Sequence, residues 1–182
     1  MLDDNLDLDQ DEQKERILEN FRKAGQIAKK IKKHLPPLLN PGETVLDIVE
    51  TIEKMIKDEG GTPGFPVNIS INSIAAHYTA SIDDTTLIQD NDVIKIDFGV
   101  AVNGCISDNA ITIDLSDQNS KLLEASQEAL RVATEMIKPG VGNGDVGKAI
   151  ETKIKEYGFR PIENLTGHLI EPYNLHTGID IP

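Results

Sequence analysis

One cysteine, no tryptophan and three methionines stand among 182 residues, and aromatic side chains make up only 4% of them. With Cys105 alone, no disulfide can close within the chain, and a reducing compartment, the cytoplasm, is the expected location. Basic residues are the next shortage: 18 Lys and Arg face 31 Asp and Glu, a formal net charge of −13. Such an excess repels phosphate backbones and anionic headgroups, so neither DNA nor a membrane is an expected partner. The one basic stretch, Lys29-Lys30-Ile31-Lys32-Lys33, reads as the solvated face of an amphipathic helix. No apolar run approaches the roughly 20 residues needed to span a bilayer. The first residues, Met1 to Asp11, are acidic and lack the apolar core of a signal peptide. What remains is a 38% hydrophobic chain, enough for one ordinary core. Residues 1–12 are expected to form an acidic disordered leader, and 13–182 to fold.

Hydrophobic spacing divides the folded part. Ile17, Phe21, Ala24, Ala28, Ile31 and Leu35 recur at steps of three and four, which predicts an amphipathic helix stopped by Pro36-Pro37. Thr44 is a candidate N-cap for a second helix with the stripe Ile48, Ile52, Met55 and Ile56, ending at Gly60-Gly61. Val67 to Ile71 alternates like a strand. Leu122, Ser126, Ala129, Ala133 and Met136 predict a third helix, ending before Pro139-Gly140. Val146, Ala149, Ile150, Ile154 and Tyr157 predict a fourth, ending at Gly158. Helices interleaved with antiparallel strands give an α+β domain.

The densest signal lies between Val93 and Leu115. Two β-branched runs flank Asn103-Gly104, the pair favoured in two-residue type I′ turns. If Val102 faces Cys105, then Ile96 faces Ile111 and Ile94 faces Ile113, an apolar face that supports the register independently. Asp97 then faces Ala110, and Asp108 is its diagonal neighbour on the same side. Diagonal positions lie roughly 7 Å apart, near enough for two carboxylates to share hard cations and costly to bury without them. Two solvated aspartates on a wet hairpin face are the alternative at this point.

The chain also repeats itself. Asp47 to Gly60 aligned without gaps on Asp145 to Gly158, 98 residues later, matches at six of fourteen positions, among them Ile52/Ile150, Ile56/Ile154 and Gly60/Gly158. Beyond it, Phe65 precedes His77 much as Phe159 precedes His168. Each copy reads helix, break, strand, histidine. The same offset carries Asp97 and Asp108 past Pro182, which predicts a pseudo-twofold domain whose second half is incomplete in this sequence.

Of the four histidines, His34 falls at a helix C-terminus, where the helix dipole accounts for it. His77 and His168 sit beside small residues and backbone breaks. Neutral imidazole beside a carboxylate pair favours Mn, Fe, Co or Zn over Mg or Ca; a hydrogen-bonded structural histidine is the alternative for each. Taken in order, Phe65-Pro66-Val67-Asn68-Ile69-Ser70-Ile71-Asn72, Ala75-Ala76-His77-Tyr78-Thr79, Lys95-Ile96-Asp97-Phe98-Gly99-Val100, Asp108-Asn109-Ala110, Gly167-His168 and His176 resemble the type 2 methionine aminopeptidases, in the compact archaeal style. The resemblance runs from about Gln13 to Pro182.

It implies the pita-bread fold, two related halves clasping two divalent metal ions (Co, Mn, Fe or Zn). By the same resemblance Asp97 chelates one ion, Asp108 bridges both and His168 donates a ring nitrogen. His77 contacts the scissile region as the catalytic histidine and is the one alkylated by fumagillin-type epoxides; His176 holds the substrate carbonyl; Phe65 and Leu175 line the methionine pocket. The implied reaction is hydrolytic removal of the initiator methionine from nascent polypeptides, with the ribosome as a further partner. The family's other two ligands are glutamates that no position here supplies, Glu171 included. The resemblance therefore leaves open a fragment, one half of a split enzyme completed by a separate C-terminal piece or by self-association, and a truncated descendant. Two other functions remain: a non-enzymatic pita-bread binding module associated with ribosomes or proteins, and a peptidase acting before proline. Retention of the five polar site residues weighs against the first, and the His77 motif against the second.

Overall fold

The computed structural model describes residues 9–182. Helix α1 (Gln10–His34) begins at a capping box: the Asp9 carboxylate accepts the N–H groups of Asp11 and Glu12, and Glu12 accepts the Asp9 N–H. Acidic residues in its first turn and Lys32, Lys33 and His34 in its last complement the helix dipole. The expected leader is thereby corrected at its end. Residues 1–8 lie outside the described residues, but Asp9 to Glu12 are the cap and first turn of α1, so ordered chain starts before residue 13. Pro36-Pro37 ends the helix as expected, in a short 3-10 turn, Pro36–Leu38.

Helix α2 (Val45–Asp58) starts at Thr44, whose side chain accepts the Asp47 N–H at 3.0 Å. It stops where Gly60 turns left-handed at φ 83°. Its buried stripe is Val45, Ile48, Val49, Ile52 and Ile56; Met55 only packs against the edge of the core.

Four antiparallel strands follow: β1 (Thr62–Pro63), β2 (Asn68–Ile71), β3 (Val93–Val102) and β4 (Cys105–Asp114). β3 is the spine, paired with β4 on one side and with β1 and β2 on the other. The hairpin register is the expected one, with Ile96 opposite Ile111 and Asp97 opposite Ala110. Asn103 at φ 48° and Gly104 at φ 81° supply the two left-handed residues that a type I′ turn requires. Strand alternation then sorts the faces. Ile94, Ile96, Phe98 and Val100 are wholly buried in one core with Ala24, Ile27, Ala28 and Ile31 of α1 and Ile48, Ile52 and Ile56 of α2. Each such side chain contributes about 1.5–3 kcal/mol by leaving water. Asp97 and Gly99 face the other way.

Helices α3 (Ser120–Met136) and α4 (Asn143–Glu156) pair next, followed by β5 (Gly167–His168), antiparallel to β6 (Asp180–Ile181). The internal repeat is structural: α2 and α4 occupy equivalent residues 98 positions apart. Both close on a left-handed glycine, Gly60 at φ 83° and Gly158 at φ 84°, whose N–H donates to Lys57 O or Lys155 O. The two pairs differ in cover. In α3 only Ala125, Ala129 and Ala133 are buried, while Leu122 and Leu130 are exposed, contrary to the stripe expected for Leu122. Among the described residues no sheet lies across α3 and α4 as β2–β4 lie across α1 and α2. No described helix is long and apolar enough to cross a membrane.

Candidate metal centre

The site forms on the face of β3 and β4 turned away from the helical core. In the register, Asp97 lies opposite Ala110 and Asp108 opposite Gly99, so the carboxylates are one diagonal step apart on one side. Burial and the Asp108 charge push the Asp97 carboxyl up to about 6, against the opposing influence of His77 and His168. Burial likewise raises Asp108, opposed by His168 and His176. Both carboxylates are short of positive charge.

The histidines arrive from the second part of the chain. His168, on β5, places Nε2 3.3 Å from Asp108 Oδ2, within ion-pair range and long for a strong hydrogen bond. The His176 ring lies beside it, with centroids 4.3 Å apart and planes tilted by 51°. Their connecting segment is fastened to the hairpin turn, where the Tyr173 N–H donates to Gly104 O at 2.8 Å and the Tyr173 ring covers Gly104 so closely that no Cβ fits there. Leu175 is half-buried on that segment.

Phe65 reaches the same face from the β1–β2 connection. Its ring lies over Gly99, where an added Cβ would stand 2.6 Å from Phe65 Cε1, and the Gly64 N–H donates to Gly99 O. His77 is exposed, held at a left-handed φ of 64°, and near enough to Asp97 for its charge to be felt there. His34 stays apart, its Nδ1 2.9 Å from Lys30 O at the end of α1, and Glu171 makes only a local bridge with Asn174.

The polar set fits a divalent ion as an incomplete ligand shell. His168 Nδ1 is buried without a hydrogen-bond partner, so the acceptor that ordinarily takes the second ring N–H of a metal-ligating histidine has, like the further ligands, to come from outside this set. Among the described residues, no three His, Cys, Asp or Glu side chains converge tightly enough to hold an ion by themselves. Two electron-rich carboxylates and one imidazole therefore need further ligands to complete the shell.

Sequence reasoning missed two supporting features. A glycine within a strand signals close approach of another group, and Gly99 was legible as a platform on that ground. Asn68, in register with Asp97 on β2, accepts a hydrogen bond from Thr79 Oγ1 at 2.6 Å; no local pattern announces that pairing.

Comparison with known proteins identifies the family and the fold. The model of metallopeptidase family M24 matches residues 19–182. A methionine aminopeptidase of Methanocaldococcus jannaschii is 45% identical over 164 residues, covering 90% of this chain and 56% of that protein. The chain thus spans about half the length of most of the curated relatives it matches, including those of Thermococcus onnurineus and Pyrococcus horikoshii, each covered over 54%. Among solved structures, a methionine aminopeptidase from Thermotoga maritima superposes with a TM-score of 0.83 at 24% identity, covering 92% of this chain and 70% of that one. Prolidase from Pyrococcus furiosus gives 0.80 at 26% identity, covering 91% and 50%. The shared architecture is the pita-bread fold.

Proposed function

The chain belongs to metallopeptidase family M24, and from that premise we propose that it supplies the first part of a methionyl aminopeptidase that removes the initiator methionine from nascent polypeptides. The observation that supports the reading is the pair Asp97 and Asp108, one diagonal step apart on one face of the hairpin, both raised by burial, with His168 Nε2 3.3 Å from Asp108. Together with further ligands, these three residues would hold the metal, as two ions chosen from Co, Mn, Fe and Zn. A divalent ion bound there supplies Lewis acidity and brings the pKa of water toward neutrality.

The chain's own groups then divide the work. His176, exposed beside His168, donates a hydrogen bond to the substrate carbonyl, and His77 contacts the reacting region. Phe65, seated on Gly99, and Leu175 give an apolar wall for a methionine side chain. A binding module without chemistry would gain nothing from two adjoining carboxylates whose repulsion must be tolerated in the fold. The family implies dependence on a divalent metal; two glutamates from outside these 182 residues would complete the ligand set.

The test is an assay on methionyl peptides with Mn, with and without a separately produced C-terminal piece carrying the two glutamates. The proposal expects little or no cleavage by the chain alone, cleavage when the piece is added, and its loss on chelation. Metal-independent cleavage would overturn the mechanism, and full activity of the chain alone would overturn the ligand count.

A further inference from the structure

His77 has an unusual support. No hydrogen bond reaches its ring among the described residues, its side chain is exposed, and its backbone sits at φ 64°, a region that side chains other than glycine adopt at a cost. Its position is therefore set by its neighbours in the chain. On the next residue, Tyr78 is tied inward: its carbonyl accepts the Ile69 N–H at 2.8 Å, and its hydroxyl donates to Asp84 Oδ2 at 2.7 Å. The Tyr78 N–H, in the peptide that follows His77, donates to Ser70 Oγ at 3.4 Å, a long and weak bond, so these bonds hold Tyr78 and leave the direction of the chain beyond it to a further contact. That direction is set at Thr79, whose hydroxyl donates to Asn68 Oδ1 at 2.6 Å. Asn68 Nδ2 in turn donates to Pro66 O at 3.2 Å, which orients the amide with its oxygen toward Thr79. Asn68 is the β2 residue in register with Asp97. The bond thus ties the His77 segment directly to the strand position beside the carboxylate.

We propose that Thr79 and Asn68 form a latch that holds His77 in its left-handed conformation beside Asp97, making both of them positioning residues of the site. The inference rests on the reading of His77 as a site residue, and it concerns the geometry of the chain itself rather than turnover. Without the latch, the backbone at residues 77 and 79 can relax toward an extended conformation while Tyr78 stays tied through its carbonyl and hydroxyl, and the imidazole swings away from Asp97.

The experiment is nuclear magnetic resonance on the labelled 182-residue chain, in wild type, Thr79→Val, Thr79→Ser and Asn68→Ala. The readout is the intraresidue amide-to-Hα Overhauser effect of residue 77, which is strong when φ is positive and weak in extended backbone. Cross-strand contacts of the β3–β4 hairpin and the Ile69–Tyr78 contact serve as controls for an intact fold. Wild type and Thr79→Ser are expected to show the strong effect, while Thr79→Val and Asn68→Ala lose it with both controls unchanged. A strong effect that persists in both Thr79→Val and Asn68→Ala overturns the latch; if one of the two does not fold, the other decides. Absence of methionyl-peptide cleavage would overturn the proposed function and leave this readout unaffected.

Discussion

Replacing Asp97 by asparagine should stabilise the metal-free protein at neutral pH. In the fold, burial and the Asp108 carboxylate raise the Asp97 carboxyl from 3.8 to about 6. Between those values the native state binds a proton that the unfolded chain releases, so this group's contribution to stability falls as pH rises through the window. A shift of roughly two units corresponds to about 3 kcal/mol at most, and screening by solvent reduces this to about 1–2 kcal/mol. For a chain of this size that is roughly 5 °C in melting temperature. The asparagine side chain keeps the shape and discards the charge, so the difference between Asp97→Asn and wild type should be near zero at pH 4, appear between pH 4 and 6, and level off above pH 7. The assay is denaturant unfolding across that range with chelator present. Taking the difference cancels the titration of the acidic groups that do not interact with Asp97; Asp108, which does, titrates together with it. With saturating Mn the sign should reverse, because the metal stabilises only the protein that binds it. The reasoning is refuted if Asp97→Asn is less stable than wild type at pH 7.5 without metal, or if the difference is the same at pH 4 and pH 7.5.

Gly99→Ala places a methyl group into the Phe65 ring and should cost about 1–3 kcal/mol in thermal unfolding; Phe65→Ala in the same background should recover part of that loss. Gly104→Ala meets both a φ of 81° and the overlying Tyr173 ring, so a destabilisation of at least about 1 kcal/mol is expected, with slippage of the hairpin detectable in cross-strand contacts. Ile52→Ala, in the wholly buried stripe of α2, should cost about 2–5 kcal/mol and leave the site residues in place, as judged by unchanged His168 and His176 resonances.

The hairpin was the most legible element, because an Asn-Gly turn and an apolar face specify the same register independently, and either alone would have left a slip open. The ends of α2 and α4 were equally readable from Gly60 and Gly158, which is also why the repeat survived translation into structure. Asp97 and Asp108 followed from the register alone, but the approach of His168 and His176 came from the family resemblance, since contacts between residues so far apart in the chain leave no local period. The pairing of β2 with β3 is non-local in the same way, and with it the Asn68–Thr79 bond. The left-handed backbone of His77, at φ 64°, contradicts ordinary residue preference and so could not be read from the sequence. The start of α1 was misplaced because the Asp9–Glu12 capping box lies within a run of acidic residues that reads as solvated leader. Exposure of Leu122 reflects the absence of a covering sheet over α3 among the described residues, a property of tertiary packing that helical spacing does not encode.

Titration of the chain with Mn, followed by calorimetry in parallel for wild type, Asp108→Ala and His168→Ala, tests the metal centre most directly. Weak saturable binding to wild type is expected, abolished in Asp108→Ala and diminished in His168→Ala, and strengthened for wild type by a C-terminal piece bearing the two glutamates. Equal binding by wild type and Asp108→Ala would contradict the assignment of this face as a metal site.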